Sequence, residues 1–435
     1  MTQLVFHHEP SQLALSSSAI PVLMYGRRPP YVGSASIGGP VRAEVRRLGG
    51  PVHRRAFDFL TVAMAVTAAD TFVDRQKAAD GWARDLRLVI PVADPAPWQV
   101  AIPLLEETLL FLSGDIWSIA IVGDGPERPV PQTKGRLISL PDHDCVSLFS
   151  GGLDSAIGAI DLVAAGRRPV LISHSYRGDA GRQSDIVREL PTKTSRFSAV
   201  ANPISLVDGV NDVQMRTRSF NFFAFGALVA ATMAERGIAQ GLVDLNVPEN
   251  GLIALNPPLT PRRIGALSTR TTHPHYLELI QKLFDLVEIP VRITNPYALM
   301  TKGGMLAACP DKKTLEAIAW GTVSCGKWKR TGVQCGKCVP CLIRRASFHA
   351  AGIKDRTRYG DGADLPSTMA ADIGRDDLLA MVLASRSLPT TRIGSWIAKA
   401  GPLPQNRSER DALVGVARRG LNEVRAYLES LGLLS

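Results

Sequence analysis

The sequence predicts an α/β protein built on a doubly wound parallel sheet, with an additional α/β unit before it and helices after it. Three observations support this. Strand-like apolar runs alternate with helix-compatible stretches from about residue 135 onward. A glycine- and serine-rich hexapeptide, SGGLDS at 150–155, stands where one such run gives way to a helix. Four of the six cysteines lie within 325–341, spaced C-x9-C-x2-C-x2-C.

The chain has 435 residues, enough for two or three domains. Apolar content of 45% and charged content of 21% are those of an ordinary globular protein. The longest strongly apolar tract, 222–231, falls well short of the ~20 residues of a membrane helix. With no leader-like N-terminal segment, the expectation is a cytoplasmic protein with no membrane partner. The net charge of +10 attracts phosphates, carboxylates or nucleic acid and does not distinguish among them.

Residues 1–134 read as the additional α/β domain, a possible partner-recognition unit. Short strands and turns are expected through residue 50, followed by a helix over 54–74, where Phe57, Leu60, Met64 and Ala68 recur at helical spacing. A strand over 86–92, a helix over 100–112 and a strand over 116–122 complete it. Asp70, Asp74, Arg75, Trp82, Arg84 and Trp98 are candidates for a recognition surface, or for helix-end charges and core aromatics. The proline-rich stretch 126–134 reads as a linker.

The central domain is expected over 135–355. Its strands are 145–149, 169–176, 197–206, 241–247 and 291–293. Helices follow at 155–165, 183–190, 212–235, 274–287 and from Lys302 through Ala308. Ligands gather at the carboxyl ends of strands in such sheets, which places His174, Ser175, Tyr176 and Arg177 near a nucleotide. Arg216 and Arg218 open a helix where cations oppose its dipole, a hint of a nearby anion. The loop 255–275, LNPPLTPRRIGALSTRTTHPH, is rigid and rich in donors, including Arg262, Arg263, Arg270, Thr271, Thr272, His273 and His275. It suits an acidic planar substrate. Residues 356–435 form a helical C-terminal region, amphipathic over 376–384 and 409–431.

In SGGLDS, two glycines allow a tight turn, two serines offer hydroxyls, and the helix that follows presents its positive end. This is a phosphate-binding loop without the lysine or spacing of the Walker motif. Cys325, Cys335, Cys338 and Cys341 suit a closed tetrahedral zinc site, although an iron–sulfur cluster also accepts four thiolates. Cys145 and Cys309 read as buried apolar residues.

SGGLDS resembles the PP-loop of ATP pyrophosphatases, whose fold is adenine nucleotide alpha hydrolase-like. Together with SC, nine residues and CGKCVPCLIRRASFHAAG, it resembles QueC, the 7-cyano-7-deazaguanine synthase, over about 140–355. Arg218-Ser219 is similar to QueC's Arg-Asn helix start, with serine for asparagine. Glu249 and Thr301-Lys302 also match. The proline-rich loop and the N-terminal unit instead resemble QueC-like proteins of bacterial antiviral defence, including QatC and the type IV CBASS component.

The resemblance implies ATP binding by Phe149, Ser150, Gly151, Gly152, Leu153, Asp154, Ser155, Ala156, Ile157, Gly158, Ala159 and His174. It implies Mg²⁺ at Asp154 and a catalytic set of Ser150, Asp154, Ser155, Arg218 and Lys302. Substrate contacts are expected from Arg218, Glu249, Arg270, Thr271, Thr272 and His273. The implied reaction is adenylation of 7-carboxy-7-deazaguanine or a close analogue, with AMP and pyrophosphate released. The acyl group then passes to the N-terminal amine of a partner protein or to ammonia for nitrile synthesis; the remaining alternative is a catalytically inactive nucleotide-binding component of a defence complex. Nucleic acid is not expected as a substrate.

Overall fold

The computed structural model describes residues 1–13, 18–174, 178–192, 194–207, 216–259, 270–371, 373–388 and 392–434. Among them are two sheets. The first holds β1 (Thr2–His7), β2 (Ala19–Gly26), β3 (Ala35–Gly38), β4 (Asp85–Pro91) and β5 (Ile116–Val122), in the order β5-β4-β1-β2-β3. The second holds β6 (Cys145–Leu148), β7 (Pro169–His174), β8 (Ser195–Ala199), β10 (Val243–Asn246) and β11 (Val291–Thr294), in the order β11-β10-β6-β7-β8. Each is parallel within these strands, and each reverses direction between its first and fourth strands. The two sheets therefore share one winding order.

Burial explains the strands. In β4, Leu86, Leu88 and Ile90 are buried while Asp85 and Arg87 are exposed, the alternation of a sheet with one solvated face. β6 and β7 are buried at every position, as central parallel strands covered on both faces must be.

The sheets meet through their helices. The Arg54–Phe72 helix, which precedes β4, packs on the Arg218–Glu235 helix, which precedes β10. Next to them the Pro95–Ser113 helix, before β5, packs on the Pro274–Leu286 helix, before β11. The first pair runs antiparallel: His53 N donates to Thr232 Oγ1 at 3.2 Å, and at the other end Thr217 N donates to Asp70 Oδ2 at 2.8 Å. Phe57, Phe59, Phe220, Phe223, Phe225 and Phe284 fill this layer, and one apolar core runs through both halves.

Several expectations change. The helix expected over 212–235 starts at Arg218, so Arg216 precedes it; residues 208–215 lie outside the described residues. The strand expected over 197–206 divides at Asn202, whose φ of +47° turns the chain. Residues 204–205 become β9 (Ile204–Ser205), antiparallel to β3 in the first sheet. The helix expected over 100–112 begins at Pro95, since a proline at the first turn forfeits no intrahelical hydrogen bond. Asp70, Arg75, Arg84 and Trp98 are buried, which removes them from any recognition surface. Trp82 is 38% exposed, and Asp74 caps a short turn.

The C-terminal helices Asp376–Ser387, Ile393–Ile397 and Arg407–Ser430 pack with the Val339–Ala350 helix around Leu342, Leu378, Met381, Val416 and Leu421. Among the described residues no helix is long and apolar enough to cross a membrane.

Candidate functional site

The hexapeptide lies at the point where the second sheet reverses, between β6 and the Leu153–Ala164 helix. Gly151 adopts φ +83°, a conformation that favours glycine. Other segments take up the turn's carbonyls: Gln183 Nε2 donates to Ser150 O at 3.1 Å, and Val323 N to Gly151 O at 3.1 Å. Ser155 Oγ donates to Gly152 O at 3.0 Å and lies 3.2 Å from Ser150 Oγ. The first-turn amides of Leu153, Asp154 and Ser155 have no intrahelical acceptor, as at any helix start. Amides, two hydroxyls and a helix dipole thus converge as phosphate recognition requires.

The loop opens on a cavity of about 580 Å³ lined by Ser150, Ser155, His174, Arg216, Arg218, Ser219, Phe222, Glu249, Thr271, Thr272 and Gly326, among others. Of the residues expected to contact ATP, Phe149, Leu153, Ala156, Ile157 and Ala159 bury their side chains in the core. Their side chains shape the loop, which leaves backbone groups as what they can offer a ligand. Gly158 has a different purpose. A Cβ there would lie 2.5 Å from Pro248 Cγ, so its absence lets the 248–250 segment close on the helix.

That approach assembles a buried charge group. Lys302 Nζ donates to Asp154 Oδ1 in a buried ion pair, and Asn250 donates to Asp154 Oδ2 from its backbone N at 3.1 Å and its Nδ2 at 2.6 Å. Burial opposes ionisation of Asp154, but the Lys302 ammonium together with hydrogen bonds from Glu249, Lys302 and Asn250 outweighs it and holds the carboxyl below its ordinary range. Glu249 shows the reverse. Burial and the neighbouring Asp154 charge raise its pKa well above the ordinary value, so one acid stays ionised and its neighbour keeps a proton.

This arrangement bears on two expectations. Both Asp154 oxygens face donors, so a Mg²⁺ ion at Asp154 would compete with the Lys302 ammonium. Lys302, expected to balance charge on phosphate, is paired with Asp154. Its helix, Lys302–Ala308, is capped by Thr301 and held by Glu423 of the C-terminal helix, which accepts from Thr301 Oγ1 and from Gly303 N at 3.2 Å. Arg218 lines the cavity, 3.6 Å from Asp179 Oδ2.

The proline-rich loop divides. Thr271 and Thr272 line the cavity. Arg270 instead donates to Phe111 O at 3.1 Å with its guanidinium over the Phe111 ring. His273 is fully buried, caps the Pro274–Leu286 helix through Nδ1, and packs on Phe111; burial drives its pKa down to about 3. Arg270 and His273 therefore anchor the loop to the first half of the chain, and neither lines the cavity. Arg262, Arg263, Ser175, Tyr176 and Arg177 lie outside the described residues. Sequence reasoning missed Asn250, although an Asn before an apolar stretch is a helix-capping signal.

The Sγ atoms of Cys325, Cys335, Cys338 and Cys341 all lie within 4.8 Å of one another. Thiolates ~2.3 Å from one zinc would sit ~3.8 Å apart, and Cys325 and Cys338 are at 3.9 Å. Backbone N–H groups of Lys327 and Cys335 point at Cys325 Sγ, and that of Cys338 at Cys335 Sγ, each at 3.3 Å, favouring the charged thiolates a metal needs. The set fits a closed structural zinc site, with no ligand position left for substrate. Gly332 and Gly336, at φ +66° and +81°, make its turns.

Comparison with known proteins agrees with this geometry. The family described as queuosine biosynthesis protein QueC matches residues 271–352. The 7-cyano-7-deazaguanine synthase of Ralstonia pickettii (strain 12J) is 40% identical over 234 residues, 49% of this chain and 97% of that protein. Its namesake from Ralstonia nicotianae is 26% identical over 49% of this chain and 97% of its own length. The Saccharolobus solfataricus protein of the same name is 24% identical over 54% of this chain, which spans about half, 53%, of that relative. With the phosphate loop, the four cysteines and a relative matched along nearly its whole length, the chain belongs to the QueC family.

Proposed function

We propose that the protein uses ATP to adenylate 7-carboxy-7-deazaguanine, or a close analogue, and transfers the acyl group to the N-terminal amine of a partner protein in antiviral defence. One observation carries the first half of this reading: the phosphate loop opens on the same cavity as Glu249, Arg218, Thr271 and Thr272. A carboxylate oxygen of the acid attacks the α-phosphorus of ATP. The bond to the β-phosphate oxygen breaks, and pyrophosphate leaves with the electron pair. The 150–155 loop holds the phosphates through first-turn amides and the Ser150 and Ser155 hydroxyls, and Arg218 offsets the charge that develops. Asp154 and Lys302 position this machinery, since their charges satisfy each other.

The acyl-adenylate then meets an amine. Nitrogen attacks the carbonyl carbon, AMP departs, and the amine loses a proton. The reading assigns 1–134 to partner recognition, 135–355 to adenylation and zinc binding, and 356–435 to buttressing the Lys302 helix. A second reading, nitrile synthesis with ammonia and a second ATP, is favoured by the names of the relatives. Incubating the zinc-loaded protein with the acid, ATP and ammonium separates the two. Conjugation predicts an adenylate that yields no nitrile at a useful rate and a partner whose intact mass increases by the acyl group on co-expression. Efficient nitrile formation would overturn it.

A further inference from the structure

Arg216 hints at an anion in the sequence but is in neither the catalytic nor the substrate set that the resemblance implies, and it lines the cavity beside Arg218. It is 2% exposed and precedes the helix, where a bulky cation gains nothing from the dipole. Elements of the first half hold it in place. Its guanidinium lies 3.9 Å from the Trp82 ring centre, and Nη1 donates to Ser113 O at 2.9 Å. Neither contact neutralises it.

Its buried neighbours do not neutralise it either. Asp115 accepts two bonds from Arg75, at 2.6 and 2.8 Å, and a third from Arg84 Nη2 at 2.7 Å. Arg84 Nη2 also reaches Asp70 Oδ1 at 2.5 Å, while Asp70 Oδ2 takes the amide and hydroxyl of Thr217, each at 2.8 Å. Among the described residues, Arg75, Arg84 and Arg216 thus face only two carboxylates, Asp70 and Asp115. Arg216, the member that reaches the cavity, makes no ion pair with either of them. Burial, and then the proximity of Arg75, lower the Arg216 pKa to about 10, the sign of a cation short of counter-charge and still ionised at neutral pH.

We propose that Arg216, carried on Trp82, binds the carboxylate edge of the planar acid and selects it over neutral analogues. A planar guanidinium matches two adjacent acceptor oxygens, such as a ring carbonyl beside a carboxylate. The first half of the chain then shapes the small-molecule site as well as any partner surface. This deepens the proposed function and rests on it.

The test is isothermal titration of the zinc-loaded full chain, with the acid and with its neutral carboxamide, for wild type, Arg216→Gln and Trp82→Leu. Loss of a charge-assisted contact predicts that Arg216→Gln weakens acid binding about 10-fold or more and carboxamide binding less than about 3-fold. ATP binding stays unchanged. Trp82→Leu, at a partly exposed position, lowers acid selectivity in the same direction and carries the test should Arg216→Gln fail to fold. Equal loss for acid and carboxamide, or unchanged acid binding in both variants, overturns the assignment while leaving the adenylation reading intact. A wild type that binds neither compound overturns that reading as well.

Discussion

At the residue scale, the site is organised by the opposite fates of two neighbouring acids. Asp154 is ionised against Lys302, and Glu249 retains its proton because a second buried negative charge beside Asp154 is unfavourable. A carboxyl whose folded pKa lies above its unfolded value contributes stability that is fully present below the unfolded value and lost as pH rises through the folded one. The unfolded value is near 4.5, so wild-type stability should fall as pH climbs above it. Glu249→Gln removes this dependence. Its melting temperature relative to wild type should therefore rise as pH climbs above about 4.5. A constant difference above that pH would show that Glu249 ionises normally.

These residues also mark how far the sequence could be read. Ser150–Ser155 and the four cysteines are local strings whose spacing encodes their geometry, and both were legible. The Asp154–Lys302 pair spans 148 positions, and nothing local announced that each would neutralise the other. Arg270 and His273 carry the right chemistry for a substrate, but Phe111 draws both to the first half of the chain. Arg216 gave a local signal, an unfavourable dipole position, while its Trp82 support could come only from tertiary packing.

At the element scale, the metal loop and the phosphate loop are joined. Val323, two residues before Cys325, donates to Gly151 O, and Gln334, next to Cys335, brackets the same segment by accepting from Ser324 N and donating to Thr322 O. Arg182 of the Ala180–Arg188 helix stacks on Trp328 within the cysteine loop at 3.6 Å. Chelating the metal should therefore increase deuterium uptake at Val323, Gly152 and Ala156 as well as across 325–341, and weaken ATP binding several-fold. Increased uptake confined to the cysteine loop would separate the two. Edge strands receive similar local protection. Glu106 accepts from Ile119 N at 2.7 Å on β5, Glu44 from Ser198 N at 3.1 Å on β8, and Gln281 bonds both Val291 O and Ile293 N on β11. Capped edges offer fewer groups to another chain.

At the scale of the whole molecule, two sheets of the same winding order face each other through equivalent helices, in the manner of two copies of one subunit. The pairing was not legible in the sequence, because each half alone satisfies the α/β pattern and only shared burial of the phenylalanine layer couples them. The halves differ where chemistry begins. β6 leads into SGGLDS, while β1 leads into His8, Glu9 and a single 3-10 turn, Pro10–Gln12, without a glycine turn. One half therefore carries the phosphate loop, and the other supplies Trp82 and Ser113 to Arg216 and Phe111 to Arg270.

Activation of a carboxylate by adenylation is what we propose for this paired architecture. The most direct measurement follows ATP in the presence and absence of 7-carboxy-7-deazaguanine, resolving AMP, ADP, pyrophosphate and phosphate, with mass spectrometry of the quenched mixture for the acyl-adenylate. Adenylation predicts AMP and pyrophosphate in equal amounts, formed only with the acid and lost in Ser150→Ala/Ser155→Ala. ADP with inorganic phosphate, or ATP cleavage indifferent to the acid, would contradict it.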